Sequence, residues 1–86
     1  MKLYVKNLSY FATRQDLRQL FGLFGTVLSV NLVTDKFGRS KGYGFVEMEN
    51  EEEGSRIINE LNKIALNGRE IIVSVALPSK KIKVAP

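Results

Sequence analysis

Two short segments constrain this chain more than anything else in it: LYVKNL at residues 3 to 8 and KGYGFVEM at residues 41 to 48. Both are rich in β-branched and aromatic residues and both alternate, which predicts strands. Side chains of a strand point to opposite faces in turn, so Tyr4, Tyr43 and Phe45 fall on one face and Leu3, Val5, Val46 and Met48 on the other. The aliphatic face can seal a core, whereas the aromatic face carries three flat rings spaced by Lys6 and Lys41. A fold that uses both segments must cover one side of its sheet and provide for the other.

The remaining elements follow from local chemistry. Thr13 can cap a helix by accepting from the backbone near Asp16, and Leu17, Leu20, Phe21 and Phe24 then recur at helical spacing, with Gly25 expected as the positive-φ stop. Val27 to Val33 reads as a second strand with Val30 and Leu32 inward and Asn31 and Val33 outward. Thr34 to Ser40 is turn-rich and predicts a long, mobile hairpin connection. Asn50 is expected to cap a second helix whose first turn holds Glu51, Glu52 and Glu53 and whose stripe is Ile57, Ile58 and Leu61. Asn67-Gly68 signals a turn, after which Ile71 to Ala76 forms a last strand with Ile71, Val73 and Val75 inward and Ile72 and Ser74 outward, ended by Pro78.

The order β-α-β-β-α-β defines an α+β, ferredoxin-like split-βαβ sandwich. Its four-stranded antiparallel sheet has strand order 4-1-3-2, and both helices pack on one face. The first and third strands are then central neighbours, and Tyr4, Tyr43 and Phe45 merge into a single patch on the uncovered side. Residues 1-77 are read as one domain and residues 78-86 as a basic flexible tail.

Composition narrows the chemistry. Among 86 residues there is no cysteine and no histidine, which removes disulfides, thiolate catalysis, cysteine-ligated metal and most general-base constellations. No apolar run approaches a bilayer span, and the apolar pattern begins too early for a signal peptide. A soluble intracellular protein is expected. The net charge is +4, from thirteen basic and nine acidic residues. Lys80, Lys81 and Lys83 sit in the last eight residues, so the domain itself is nearly neutral and charge alone is poor evidence for a polyanionic partner. Flat rings interleaved with lysines are nevertheless the chemistry on which nucleic-acid bases stack.

At this point the residues resemble the RNA recognition motif family. Its octapeptide K/R-G-F/Y-G/A-F-V-x-F/Y is matched by KGYGFVEM everywhere but at Met48, which points to the core side. LYVKNL fits the family's first-strand hexapeptide, and DLRQLFGLFG and TD…GRSKG look like its first helix and the loop into its third strand. The resemblance covers roughly residues 2 to 77 and is similar in particular to small single-motif proteins of bacteria and organelles. Departures are Gly54 and Ile57 where alanines are usual, Lys63 in place of a glycine, and a loop at 34 to 41 that looks one residue short.

The resemblance implies a monomeric, cytoplasmic protein that binds single-stranded RNA, and single-stranded DNA more weakly, with no metal, cofactor, membrane or small-molecule substrate. A role in RNA chaperoning or post-transcriptional regulation is implied by resemblance alone. The site residues carried over are Tyr4, Lys6, Asn31, Arg39, Lys41, Tyr43, Phe45, Ile72 and Ser74. Tyr4 and Phe45 are each expected to carry a base, with Tyr43 against sugars, Lys6, Lys41 and Arg39 near phosphates, and Asn31, Ile72 and Ser74 reading base edges. Phe37 either stacks on a base or folds back.

Against this stand plainer readings. The rings can be cross-strand pairs that stabilise the sheet, the lysines solvated surface groups, and the whole domain a protein-interaction variant of the fold. An enzyme of the same architecture, acting on acyl phosphates, wants an arginine in the loop after the first strand, and LSYFAT has none. Gly22 to Gly25 matches a GXXG by letter but closes a helix rather than opening one. Gly42 and Gly44 lack dinucleotide-loop spacing, and Asn7-Leu8-Ser9 spells a glycosylation site without meaning inside a cell.

Overall fold

The computed structural model describes residues 1–76. The basic tail expected at 78-86, with Pro78 and its three lysines, lies outside the described residues. Strand β1 (Lys2–Lys6) leads to helix α1 (Arg14–Gly22), strands β2 (Val27–Thr34) and β3 (Ser40–Met48), and helix α2 (Glu51–Leu61). A two-stranded hairpin, β4 (Ala65–Leu66) and β5 (Arg69–Glu70), precedes the last strand, β6 (Ile72–Val75). The main sheet runs β2-β3-β1-β6, with every neighbouring pair antiparallel, which is the split-βαβ order 4-1-3-2 with the small hairpin set apart.

One face of this sheet is sealed. Leu3, Val5, Val46 and Met48 are 0% exposed, packed with Leu17 and Phe21 of α1 and Ile57 and Leu61 of α2. Burying side chains of this size contributes about 1.5 to 3 kcal/mol each. Met48, at the position where an aromatic is usual, fills the core as a flexible thioether can. Gly54 is buried in α2, and the Met1 side chain fills the space its missing Cβ leaves.

Helix α1 starts as its sequence predicts. Thr13 accepts from the Asp16 amide at 3.1 Å while Asp16 accepts from the Thr13 amide at 3.0 Å, a reciprocal capping box. Its end differs from expectation. The helix stops at Gly22, Leu23 caps it in right-handed geometry, and Gly25 does not take a positive φ. What Gly25 provides instead is room, because a Cβ there would collide with the Glu53 side chain. Asn50 occupies the N-cap of α2 but makes no side-chain cap bond. The three glutamates in the first turn supply the favourable charge.

Three other features differ from expectation for identifiable reasons. β1 ends at Lys6 because Asn7 turns left-handed, at φ 60°, a conformation asparagine tolerates better than most residues. The β2–β3 connection is five residues, Asp35 to Arg39, and not long. Asp35 accepts from the Phe37 amide at 2.8 Å and from the Arg39 amide at 3.0 Å, which closes it tightly. Val75, expected inward, shares a face with its β1 partner Leu3 but lies at the end of an edge strand and is 42% exposed. Lys63 adopts φ 72°, which explains why glycine is usual there. The Asn67-Gly68 turn has both φ values positive, 54° and 82°, as a tight hairpin requires.

Candidate nucleic-acid interface

The open face is built from the same strands that seal the core. Tyr4 pairs in register with Phe45 on one side and Ser74 on the other, and Phe45 pairs with Asn31. Asn31, Phe45, Tyr4 and Ser74 therefore form one row across all four strands. Lys6 and Ile72 are paired in the next row on the β6 side, and Ile72 is exposed. The structure thus brings eight of the nine expected residues to this face or its rim, with Lys41 at the edge beside Tyr43.

Two glycines let the aromatic strand take this shape. Gly44 is buried, and a Cβ on it would lie 2.6 Å from the Asn31 carbonyl oxygen of β2, so any side chain would push the strands apart. Gly42 has φ 87° where the β2–β3 ladder changes register. There its carbonyl oxygen accepts from the Leu8 amide at 2.9 Å, tying the β1–α1 loop to β3. The irregularity re-aims the strand just before Tyr43, as a bulge does.

The rings are preorganised against one another. Tyr4 and Phe45 lie 5.1 Å apart between centroids with planes 16° apart, an offset stack, while Tyr43 meets Tyr4 edge-on at 5.9 Å and 84°. All three remain partly exposed. Lysines bracket the stack, with Lys6 Nζ 5.5 Å from the Tyr4 centroid and Lys2 Nζ 5.8 Å from that of Phe45, within reach of cation–π attraction. Lys2 was missed by sequence reading, although it stands two residues before Tyr4 and so belongs to the same face. Its cross-strand partner is Glu47, which places opposite charges side by side.

Arg39 is the residue that the structure holds apart from the row. Its Nε donates to Asp35 at 3.0 Å, and its guanidinium lies 5.0 Å from the Phe37 ring, which Lys36 approaches at 5.4 Å. Phe37 is 70% exposed at the loop tip. The Asp35 carboxyl is held below its ordinary pKa, chiefly by the Arg39 amide, then by the Phe37 amide and the Arg39 side chain, with Lys41 adding a smaller effect.

Two further groups escaped the sequence reading. Arg69 reaches back from the small hairpin to donate to Asn7 Oδ1 at 2.6 Å, and Asn7 Nδ2 donates to the Glu70 carbonyl oxygen at 2.6 Å. With Lys6 and Lys41, Arg69 rims a shallow hollow of ≈ 290 Å³ between Tyr4 and Tyr43. The near-neutral domain therefore sets Lys2, Lys6, Lys41 and Arg69 around the rings, a clustering no count of charges reveals. The second group is Tyr10, an exposed loop aromatic that lines the same hollow. Nothing periodic in LSYFAT marks it. Among the described residues no cluster of three or more potential metal ligands occurs, and no helix is long and apolar enough to cross a membrane.

The chain has relatives in both sequence and fold. Residues 3–72 match the family model described as the RNA recognition motif. Polyadenylate-binding protein 4 of Arabidopsis thaliana is 42% identical over 76 residues, spanning 88% of this chain and 12% of that protein. The cytoplasmic and nuclear polyadenylate-binding protein of Candida glabrata is 39% identical over 79 residues, spanning 92% of this chain and 14% of that protein. The chain thus corresponds to a small part of either relative, and these relatives, a plant's and a yeast's, lend no support to the bacterial or organellar likeness. Among solved structures, RNA Binding Protein PG1 superposes with TM-score 0.88 at 44% identity, covering 91% of this chain and 95% of that one. A Sex-lethal protein/RNA complex superposes with TM-score 0.86 at 33% identity, covering 90% and 47%.

Proposed function

Because the chain belongs to the RNA recognition motif family, we propose that it binds single-stranded RNA across the open face of its sheet, without catalysis and without a cofactor. The observation that carries this reading is the row Asn31, Phe45, Tyr4 and Ser74, with its stacked rings uncovered by any helix of the described residues. Tyr4 and Phe45 each take a base on an outer ring face, and Tyr43 packs against the sugars between them. Asn31, Ser74 and Ile72 lie where base edges arrive. Lys2 and Lys6 leave the rings to meet phosphates, joined by Lys41 and Arg69, with Arg39 reaching the strand from the loop.

Magnitudes support a modest binder. Stacking contributes about 1 to 3 kcal/mol per base, and micromolar affinity corresponds to about 8 kcal/mol. Two stacked bases supply at most about 6 kcal/mol of it, so the sugar contacts of Tyr43 and the phosphate contacts are needed to complete it. Single-stranded DNA offers the same faces and should bind more weakly, since it lacks the 2′-hydroxyl. We place the protein in the cytoplasm as a monomer that acts on RNA folding or stability. The protein-interaction alternative predicts a different footprint, on the helices.

An amide-shift titration separates the two, and the names of the relatives make oligoadenylate the first RNA to add. Shifts concentrated on β1, β3 and the flanking positions 31 and 72 to 74 support RNA binding by this face. Shifts confined to α1 and α2, or none at millimolar RNA, would sink it.

A further inference from the structure

Beside the three-ring face lies a second, larger niche. It encloses ≈ 750 Å³ between the β1–α1 loop and the β2–β3 connection, walled by Tyr10, Tyr43, Lys41, Arg39, Ser40 and Asp35. Tyr10 is 75% exposed, yet its loop is not loose. Leu8 and Ala12 are buried on either side of it. Ser9 Oγ accepts from the Phe11 amide at 3.1 Å, the Ser9 carbonyl oxygen accepts from the Ala12 amide at 3.0 Å, and the Leu8 amide is tied to Gly42. The Tyr10 ring itself leans over Gly42, its Cε1 3.6 Å from where a Cβ would stand. A turn this well anchored holds an aromatic ring against water beside Tyr43, where it serves no core.

The opposite wall is cationic. Arg39 uses only Nε on Asp35, which leaves its terminal guanidinium nitrogens without a hydrogen-bond partner among the described residues. Lys41 forms no ion pair among them. An aromatic plate on one side and, on the other, the Lys41 ammonium with the terminal nitrogens of an Arg39 already paired through Nε to Asp35 match one nucleotide, with its base on the plate and its phosphate between the cations.

Building on the RNA-binding reading, we propose that this niche seats one additional nucleotide of the bound strand, with its base stacked on Tyr10 and its phosphate held by Lys41 and Arg39. The footprint then extends off the sheet, past Tyr43, into the cleft between the two loops. Tyr10 is in this reading a binding residue, though it lies outside both strand segments that announce the site.

The test uses oligoadenylates lengthened one nucleotide at a time, with affinity read by fluorescence anisotropy. Wild type should gain affinity once more after the three rings are occupied, and Tyr10→Ala should lose that last gain, about tenfold. Tyr10→Phe should retain it, and Phe11→Ala, 86% exposed and outside the niche, should behave as wild type. In the unaltered protein the Tyr10 ring protons should move upfield only with the longer oligomers. Tyr10→Ala that equals wild type at every length, or ring protons that never move, would overturn the proposal. The underlying RNA reading fails separately, through Phe45→Ala leaving the shortest oligomers bound as before.

Discussion

The two faces of β1 and β3 are made by the same backbone and have opposite fates. On one, Leu3, Val5, Val46 and Met48 have no exposed surface; on the other, Tyr4, Tyr43 and Phe45 stay half-buried, stacked on each other and flanked by lysines. Both faces are apolar, so hydrophobicity does not distinguish them. The difference is shape and company. Aliphatic side chains interdigitate with helices, whereas flat rings with cations at their margins offer a surface on which another flat group can stack. A domain that only had to fold would gain little by leaving such rings in water.

Adjacent residues give the sharpest way to break this comparison. Val46→Asp places a carboxylate where no solvent reaches, costing several kcal/mol against a total stability of about 5 to 15 kcal/mol for a domain of this kind. The variant should be largely unfolded, with loss of its amide-shift dispersion. Phe45→Asp, one residue away, should remain folded and lose RNA binding, because it removes a stacking ring and sets a negative charge in the path of the phosphates. If both variants unfold, the open face is part of the fold's support and not a free surface.

Single ring removals come next in size. Tyr4→Ala and Phe45→Ala should each weaken binding by about 5- to 150-fold, the equivalent of roughly 1 to 3 kcal/mol per stacked base. Thermal stability should fall only by the cross-strand pair, about 0.5 to 1.5 kcal/mol. Because Tyr4 touches both other rings, its loss should be the greater of the two. Equal binding by Tyr4→Ala and wild type would reduce the patch to a sheet ornament.

How much of this was legible beforehand depended on whether the signal was local. The alternation in β1 and β3, the Thr13–Asp16 cap and the Asn67-Gly68 turn are each written in a few neighbouring residues, and the structure contains all three. Gly25 misled because a glycine after an apolar stripe suits a helix stop, while its actual constraint, the Glu53 side chain, comes from far along the chain. Val75 misled because period-two reading says nothing about where the covering helices end. Lys2 was within reach of the same alternation that identified Tyr4. Tyr10 and Arg69 were not, since the Gly42 irregularity and the Asn7 bridge that bring them to the rings are tertiary.

The charges of the open face give a smaller effect, visible in salt. Each phosphate neutralised on a single strand adds about −0.7 to the slope of log affinity against log salt. Lys6→Ala should therefore flatten the slope by about that amount, while affinity at one moderate salt concentration drops only severalfold. Lys2→Ala should do likewise, with an added consequence: Glu47, its cross-strand partner, is left to repel the strand. The counterpart on the helix side, Arg18→Ala on the exposed face of α1, should leave the slope unchanged. A flattening as large as those at Lys2 and Lys6 would erase the electrostatic distinction between the faces.

The smallest effect belongs to the margin of the open face, where Asp35 organises the loop that carries Arg39. Folding lowers the Asp35 pKa, mainly through the Arg39 amide. Its contribution is thus fully present above the ordinary carboxylate pKa and is lost as pH falls through the lower, folded value. Asp35 is a surface group, so global stability should hardly register the change. The loop should register it: in acid the Phe37 and Arg39 amide signals should move together with a single midpoint below the usual aspartate range, as their shared acceptor is protonated. Asp35→Asn keeps one acceptor oxygen, removes the charge and should abolish that titration at every pH. If the two amides titrate instead with separate midpoints, or at the ordinary aspartate value, the carboxylate does not hold the loop, and Arg39 owes its placement to the Phe37 ring.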